Sequence, residues 1–414
     1  MKVLFIHKHM PGQFEHLLRA LAADSRHEVV CIGQAYTPQR PIAPTPRVQA
    51  YRSPAVAGSA FQGLLRSFEE AVGNGLAVAA KLRELAGSGF VPDIAIAHLG
   101  WGEALYFKDV FPDTPLLGFC EFYHHARGVD ADFDPEFPLG HNDTFRIRTM
   151  NAAKLVQLTG MDLGVSPTLF KRSLFPAEFR RKITVIHEGV DTSLIRPRPD
   201  ASYRLSDGTV LRQGEPVVTY ATRNLEPYRG FHVFARAAAE LCRRRQDCRI
   251  VIAGADEVSY SAVPSRGTYR QRMLREVDLD PRRVHFVGRL AFEEYVALLQ
   301  VSAVHVYLTV PFVLSWSLLE AMSAGCVIVA SDTAPVREVL RHEENALLVD
   351  FFSHRDIAAM VERVLEHPQR LRDLGQKARL DVVRDYDARL AVVRYWGLIE
   401  RLAANHGNLR SAVL

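Results

Sequence analysis

Twelve short apolar runs, rich in β-branched residues and separated by longer stretches of helical periodicity, constrain this chain more than any other feature. The first six read VLFIH (3–7), EVVCIG (28–33), IAIAH (94–98), LLGFC (116–120), LGVS (163–166) and TVIHEG (184–189). The second six read VVTYA (217–221), RIVIAG (249–254), VHFVG (284–288), VHVYLT (304–309), CVIVAS (326–331) and ALLVD (346–350). Runs this continuously apolar are what parallel strands buried on both faces look like. Stretches such as FHVFARAAAELCRRR (231–245) and YVALLQVS (295–302) carry apolar residues at helical spacing. The alternation predicts an α/β fold built on doubly wound parallel sheets.

Twelve strands are too many for one such sheet, and 414 residues are too many for one ordinary core. A break falls at residues 190–216, where Pro197, Pro199 and Pro216 punctuate a stretch without a long apolar run. Within it, Asp207-Gly208 between YRLS and TVLR predicts a small hairpin. The expected organisation is a Rossmann-like domain over 1–189, a linker with a hairpin over 190–216 and a second Rossmann-like domain over 217–385. A C-terminal helix over 386–414 is expected to cross back to the first domain. Six strands are expected in each sheet.

Composition narrows the class of protein. Hydrophobic residues are 48% and charged residues 24%, which excludes disordered and collagen-like chains. No run approaches the ~18 apolar residues of a membrane span. The start, MKVLFIHKHMPG, has too short an apolar run for a signal-peptide core. Five cysteines without a CxxC predict free thiols in a reducing compartment, hence a cytoplasmic enzyme. A net charge of +4 argues against a nucleic-acid partner. Eight lysines stand against 43 arginines, so arginine takes positions where lysine is usual. The basic runs 180–182 and 243–245 read as solvated helix ends, with peripheral membrane contact as the minority reading.

In open α/β sheets ligands bind beyond the carboxyl ends of the strands, and polar, basic and glycine residues cluster at those ends here. Two domains with such rims predict an enzyme with a cleft between them. GxGxxG after the first strand, GxxxxGK[ST], and GxSxG at a strand end are absent, which argues against dehydrogenase, P-loop and α/β-hydrolase chemistry. His7-Lys8-His9 lacks a third ligand at metal spacing, so no metal and no cofactor are expected.

VIHEGVDTSLIRP, TRNLEPYRG, LLEAMSAGCVIVASDTAPVREVL and ENALLVD occur in the order and spacing of the retaining glycosyltransferases of family 4, which the chain resembles strongly over 183–390. The resemblance implies the GT-B fold, with two Rossmann-like domains facing across a cleft and the second holding a nucleotide-sugar donor. It implies transfer of the sugar to a hydroxyl on a sugar, a lipid-linked molecule or a small molecule. A GT-B epimerase and a non-catalytic sugar-nucleotide binder are the alternative readings. A phosphorylase of this fold would need a cofactor lysine in the second domain, and Lys377, near the tail, is the one lysine after Lys182.

A departing diphosphate needs cations and helix N-termini when no metal neutralises it. Arg223 and Arg229 flank a tight turn before the helix that starts at Gly230, and arginine can grip phosphate oxygens in bidentate fashion. The family usually has Lys where Arg229 stands, one residue closer to the first cation. Two surface arginines are the bland reading. Glu320 lies in the apolar helix SWSLLEAMSAG, and in the resembled family this glutamate holds the ribose hydroxyls. The amides of Ser315, Trp316 and Ser317 open that helix and are expected to meet phosphate or the donor sugar. Arg289 and Leu290 suit either a base-binding loop or a helix cap. Eight residues before Glu320 the family often has a second Glu on a sugar hydroxyl, whereas this chain has Phe312.

In the first half, the family places a histidine near the anomeric carbon just past the fourth strand. Here the strand end reads CEFYHHARG, and Glu121 or His124 could supply the polar group; a buried structural histidine is the alternative for the latter. Met10-Pro11-Gly12-Gln13 resembles a shortened form of the family's glycine-rich loop, which puts Gly12 near donor phosphate.

Overall fold

The computed structural model describes residues 1–55 and 63–413, with side chains described to Ala404. The chain forms two compact units, Met1–Gly189 with Ala388–Leu414, and Val190–Asp387. Each is a parallel sheet with helices on both faces.

The first unit carries β1 (Lys2–Ile6), β2 (His9–Met10), β3 (Glu28–Gly33), β4 (Ala35–Tyr36), β5 (Arg47–Ala50), β6 (Ile94–His98), β7 (Leu116–Phe119), β8 (Leu163–Ser166) and β9 (Ile183–Val185). Seven of these form one sheet in the order β5-β3-β1-β6-β7-β8-β9, while β2 and β4 pair separately. Successive side chains of a strand point to opposite faces, and the core divides accordingly. Leu4, Ile6, Val30, Ile32, Ala95 and Ala97 pack on one side, Val3, Phe5, Val29, Cys31, Ile94 and Ile96 on the other. The sequence analysis missed β5. Its RVQA run is half polar because an edge strand needs apolar side chains on fewer sides.

The final helix, Ala388–Val413, closes the second of those faces. Tyr395, Leu398, Ile399 and Leu402 all enter that core, a spacing of 3, 1 and 3 that places four side chains on one helical stripe.

The second unit carries β10 (Ser202–Arg204), β11 (Val210–Arg212), β12 (Val217–Asn224), β13 (Arg249–Ala255), β14 (Val284–Gly288), β15 (Val304–Tyr307), β16 (Val327–Ser331) and β17 (Leu347–Val349). Its sheet runs β14-β13-β12-β15-β16-β17, all parallel. The hairpin β10-β11 forms around Asp207-Gly208. It corrects the expectation of a linker over 190–216. Tyr203, Leu205 and Leu211 bury against Val217, Val251 and Leu298, so the segment is part of this unit's core.

All five cysteines are buried free thiols. Among the described residues no helix is long and apolar enough to cross a membrane.

Candidate functional site

Both sheets have the topology that creates a binding crevice. The chain starts at a central strand, builds outward on one side, then returns to build the other, so the neighbouring loops at the switch diverge. In the first unit the switch lies between β1 and β6, in the second between β12 and β15. The residues at or just past the carboxyl ends of these four strands are His7, His98, Arg223 with its turn to Arg229, and Leu308-Thr309.

In the first unit His7 and His98 meet across the switch with ring centroids 5.0 Å apart, and Trp101 stacks on His98 at 4.2 Å. His7 Nδ1 accepts the His9 amide at 2.9 Å, so its proton sits on Nε2, which donates to Gln13 Oε1 at 2.6 Å. Gln13 Nε2 then donates to Glu121 Oε1 at 2.9 Å. His98 Nδ1 likewise accepts the Gly100 amide at 2.9 Å, and its Nε2 stands 3.3 Å from Glu121 Oε2. Gly12 closes this arrangement at φ +51°, where a Cβ would collide with the His7 imidazole.

Burial favours the protonated form of Glu121. The neighbouring His98 N–H and the Lys171 ammonium outweigh burial and hold the carboxyl well below the usual carboxylate range. Burial in turn presses His7 toward neutrality, to about 3, with the neighbouring His98 adding to the effect. Lys154, buried and facing Glu121 and Asp130, is lowered to about 8 by burial.

His124 stands apart from these bonds. Its backbone is clamped by Asn151 through bonds of 3.1 and 2.8 Å, its ring lies edge-on to Phe122, and burial holds its pKa well below the ordinary value. The structure therefore joins Glu121 to the strand ends of the switch point and leaves His124 beside them. His98, Lys154 and Lys171 belong to none of the motifs legible in the sequence, and Gln13 enters there only as the last residue of the shortened loop. The available signal was the position of His7 and His98 at the ends of adjacent central strands.

In the second unit Arg229 is buried, and its Nη1 donates to Thr309 Oγ1 at 3.0 Å and to the Val313 carbonyl at 2.8 Å. The guanidinium thereby spans the switch point from the β12 side to the β15 side. Gly230, at φ +67°, turns the chain into helix Phe231–Arg244 with its Cα 's missing substituent facing Leu308. Arg223 is exposed at the end of β12. Glu226 accepts the amides of Ser259, Tyr260 and Ser261 at 3.2, 2.9 and 2.9 Å. Asn224 Nδ2 donates to Ser259 Oγ at 2.6 Å. The loop after β13 is thus strapped to the arginine turn, with the Tyr260 ring 5.6 Å from the Arg229 guanidinium. Phe312 is buried edge-on against Tyr228 and Tyr260, 5.3 and 4.9 Å between centroids.

Glu320 lies buried on helix Trp316–Ser323 and accepts the Tyr295 hydroxyl at 2.8 Å. Burial pushes its carboxyl up to about 7, against the opposing hydrogen bond. Of the amides expected to meet phosphate, that of Ser315 donates to Tyr307 Oη at 2.9 Å, and that of Ser317 makes a longer 3.4 Å bond to Ser315 Oγ. Arg289 is exposed and paired with Glu257 at 2.9 Å. Leu290 is half-buried and packs against the core that holds the hairpin. Among the described residues no cluster of three or more His, Cys, Asp or Glu could hold a metal.

Comparison with known proteins bears on the family and the fold. A model of the "Glycosyl transferase family 4 group" matches residues 25–195, and one of "Glycosyl transferases group 1" matches residues 205–381. A D-inositol 3-phosphate glycosyltransferase of Corynebacterium aurimucosum is 28% identical over 202 residues, 47% of this chain and 46% of that protein. The chain spans about half the length of the first curated relatives it matches. Among solved structures, the sucrose-phosphate synthase of Thermosynechococcus elongatus superposes with a TM-score of 0.73 at 19% identity, covering 98% of this chain and all of that one. Anabaena Alr3699/HepE, in a complex with UDP-glucose, gives 0.68 at 16% identity over 97% of this chain and all of that one. These two share its fold.

Proposed function

Since this chain belongs to the group 1, family 4 glycosyltransferases and has their GT-B fold, we propose that it moves a sugar from a nucleoside-diphosphate sugar to a hydroxyl acceptor, with retention and without a metal. The observation that carries this reading is Arg229, a buried guanidinium fixed across the switch point of the second unit. A buried cation held in this way suits a diphosphate, whose oxygens it can meet with further N–H groups while Thr309 and Val313 hold it in place. Arg223 adds an exposed second cation at the same strand end, and the Trp316–Ser317 helix start completes the proposed phosphate contacts of this unit.

Glu320 is the proposed ribose contact, with Arg289 and the Leu290 backbone toward the base. HepE holds UDP-glucose, which makes UDP-sugars the first donors to try. Glu121 is the proposed polar group beside the anomeric carbon, preferred over His124 because the hydrogen bonds of the switch point converge on it. Retention follows the family resemblance. Independence from metal follows from the cations and amides that stand where a metal would.

The test is a thermal-shift panel of UDP, GDP, ADP and their sugars, followed by nucleoside-diphosphate release in excess chelator. A ligand at 100 times its Kd stabilises the fold by about 2.7 kcal/mol, which such a scan resolves. No shift with any nucleotide would sink the donor reading. Turnover lost in chelator and restored by magnesium or manganese would sink the metal-free one. Glu121→Gln should lower kcat with donor affinity retained, as expected of an interaction made mainly in the transition state.

A further inference from the structure

Two side-chain N–H groups beside Glu121, those of Gln13 and His98, have their directions fixed by backbone. The His9 amide occupies His7 Nδ1, which makes His7 Nε2 a donor; that occupies Gln13 Oε1 and turns the Gln13 NH2 group toward Glu121. The Gly100 amide occupies His98 Nδ1, so the one remaining ring proton of His98 sits on Nε2, 3.3 Å from Glu121 Oε2. His98 is 1% exposed, and among the described residues that nitrogen makes no hydrogen bond of good geometry, the Glu121 carboxylate at 3.3 Å being its polar neighbour. Protonation would turn one Glu121 oxygen into a donor, and neither of these two neighbours can accept from it.

We propose that His98 and Gln13 are positioning residues that hold Glu121 as an anion in one orientation, so that it meets the reacting sugar as a negative charge and hydrogen-bond acceptor and never as a proton donor. The inference rests on the reading of Glu121 given above. The charged and titratable groups facing this carboxylate agree with it. They are His7 past β1, His98 past β6, Lys171 on helix Leu169–Leu174, Lys154 on helix Ala152–Gly160, and His124 along its own loop. Two of the five are lysines and none is an acid. Trp101, stacked on His98, and Phe119, 5.3 Å from the same ring, fix the plane of that imidazole.

His98→Phe keeps a ring on Trp101 and removes its N–H, and Gln13→Met removes the amide donor at a half-buried position. The carboxyl carbon of Glu121, identified in carbon-13 NMR by its loss in Glu121→Gln, reports the charge state without any substrate. In the unsubstituted protein it should show no titration above pH ~4, and each variant should raise its midpoint by one pH unit or more. With the nucleotide sugar that raises Tm most, His98→Phe should lower kcat tenfold or more, with KM within threefold and partial recovery in His98→Gln. Should His98→Phe fail to fold, Gln13→Met carries the same expectations. A Glu121 that titrates in the ordinary carboxylate range in the unsubstituted protein, or midpoints unmoved in both variants, overturns the proposal. Full kcat in Glu121→Gln would instead remove the reading on which it rests.

Discussion

Glu320 and Arg229 show how a single buried charge at a candidate site can be tested through its effect on the fold. The Glu320 carboxyl titrates at about 7 in the folded chain against an ordinary 4.5, because burial disfavours its anion. A raised folded pKa means stability that is complete below about pH 4.5 and lost as pH rises through about 7. Glu320→Gln should remove that slope, a difference of order 3 kcal/mol across the window, read from urea unfolding of the free protein at pH 4.5 and 7.5. Parallel slopes in the two proteins would show that Glu320 is solvated. The arginines separate differently. Arg223→Ala, at an exposed position, should weaken nucleoside-diphosphate binding roughly tenfold and leave Tm unchanged. Arg229→Ala should weaken binding at least as much and also lower Tm, because Thr309 and the Val313 carbonyl lose their donor. Calorimetry with the diphosphate and a thermal melt of each variant decide the matter. Equal melts would mean that the Arg229 bonds carry no weight in the fold.

The loop after β13 behaves as an element only because Glu226 gathers three consecutive amides, with Asn224 and the Tyr228 amide bonding Ser259 and Ser261. Bonds from three N–H groups to one carboxylate are charge-assisted, and removing the carboxylate takes that shared acceptor from all three amides. Glu226→Ala should therefore release residues 259–261 to hydrogen exchange while the exchange of β12 and β13 stays slow. If the amides of 259–261 stay protected in that variant, the strap is held by something other than Glu226. The same element holds Tyr260 over Arg229, so the variant should also weaken diphosphate binding, by about tenfold or less.

At the scale of the whole molecule, the chain leaves its first unit at Gly189 and returns to it at Ala388. The four residues Tyr395, Leu398, Ile399 and Leu402 are part of the first unit's core, so that unit is complete only when the last helix is made. A chain truncated after Asp387 should lose the cooperative unfolding of the first unit and expose apolar surface there, while residues 190–387 keep their own transition. Ile399→Ala, at a fully buried position, should cost about 2–5 kcal/mol in that first transition alone. Calorimetry of the three proteins tests it, and a single transition lowered equally throughout would contradict two separable cores.

The apolar runs and their spacing were enough to determine two doubly wound sheets, because a strand buried on both faces must be apolar at every position. The same logic hides β5, whose place at a sheet edge lets Arg47 and Gln49 stand in a strand, and it hides the membership of 190–216 in the second core, where single residues such as Leu205 and Leu211 do the packing. The turn from Arg223 to Arg229 and the helix holding Glu320 were legible because their motif lies within a few residues of chain. The grouping of His7, Gln13, His98 and Glu121 was decided by tertiary structure alone. These four come from three strand ends up to 114 residues apart in sequence, and only the crossover that sets β6 beside β1 brings them within hydrogen-bonding distance. Whether Glu121 is an acid or an anion depends in turn on which nitrogen of each imidazole faces a backbone amide, which no residue pattern records.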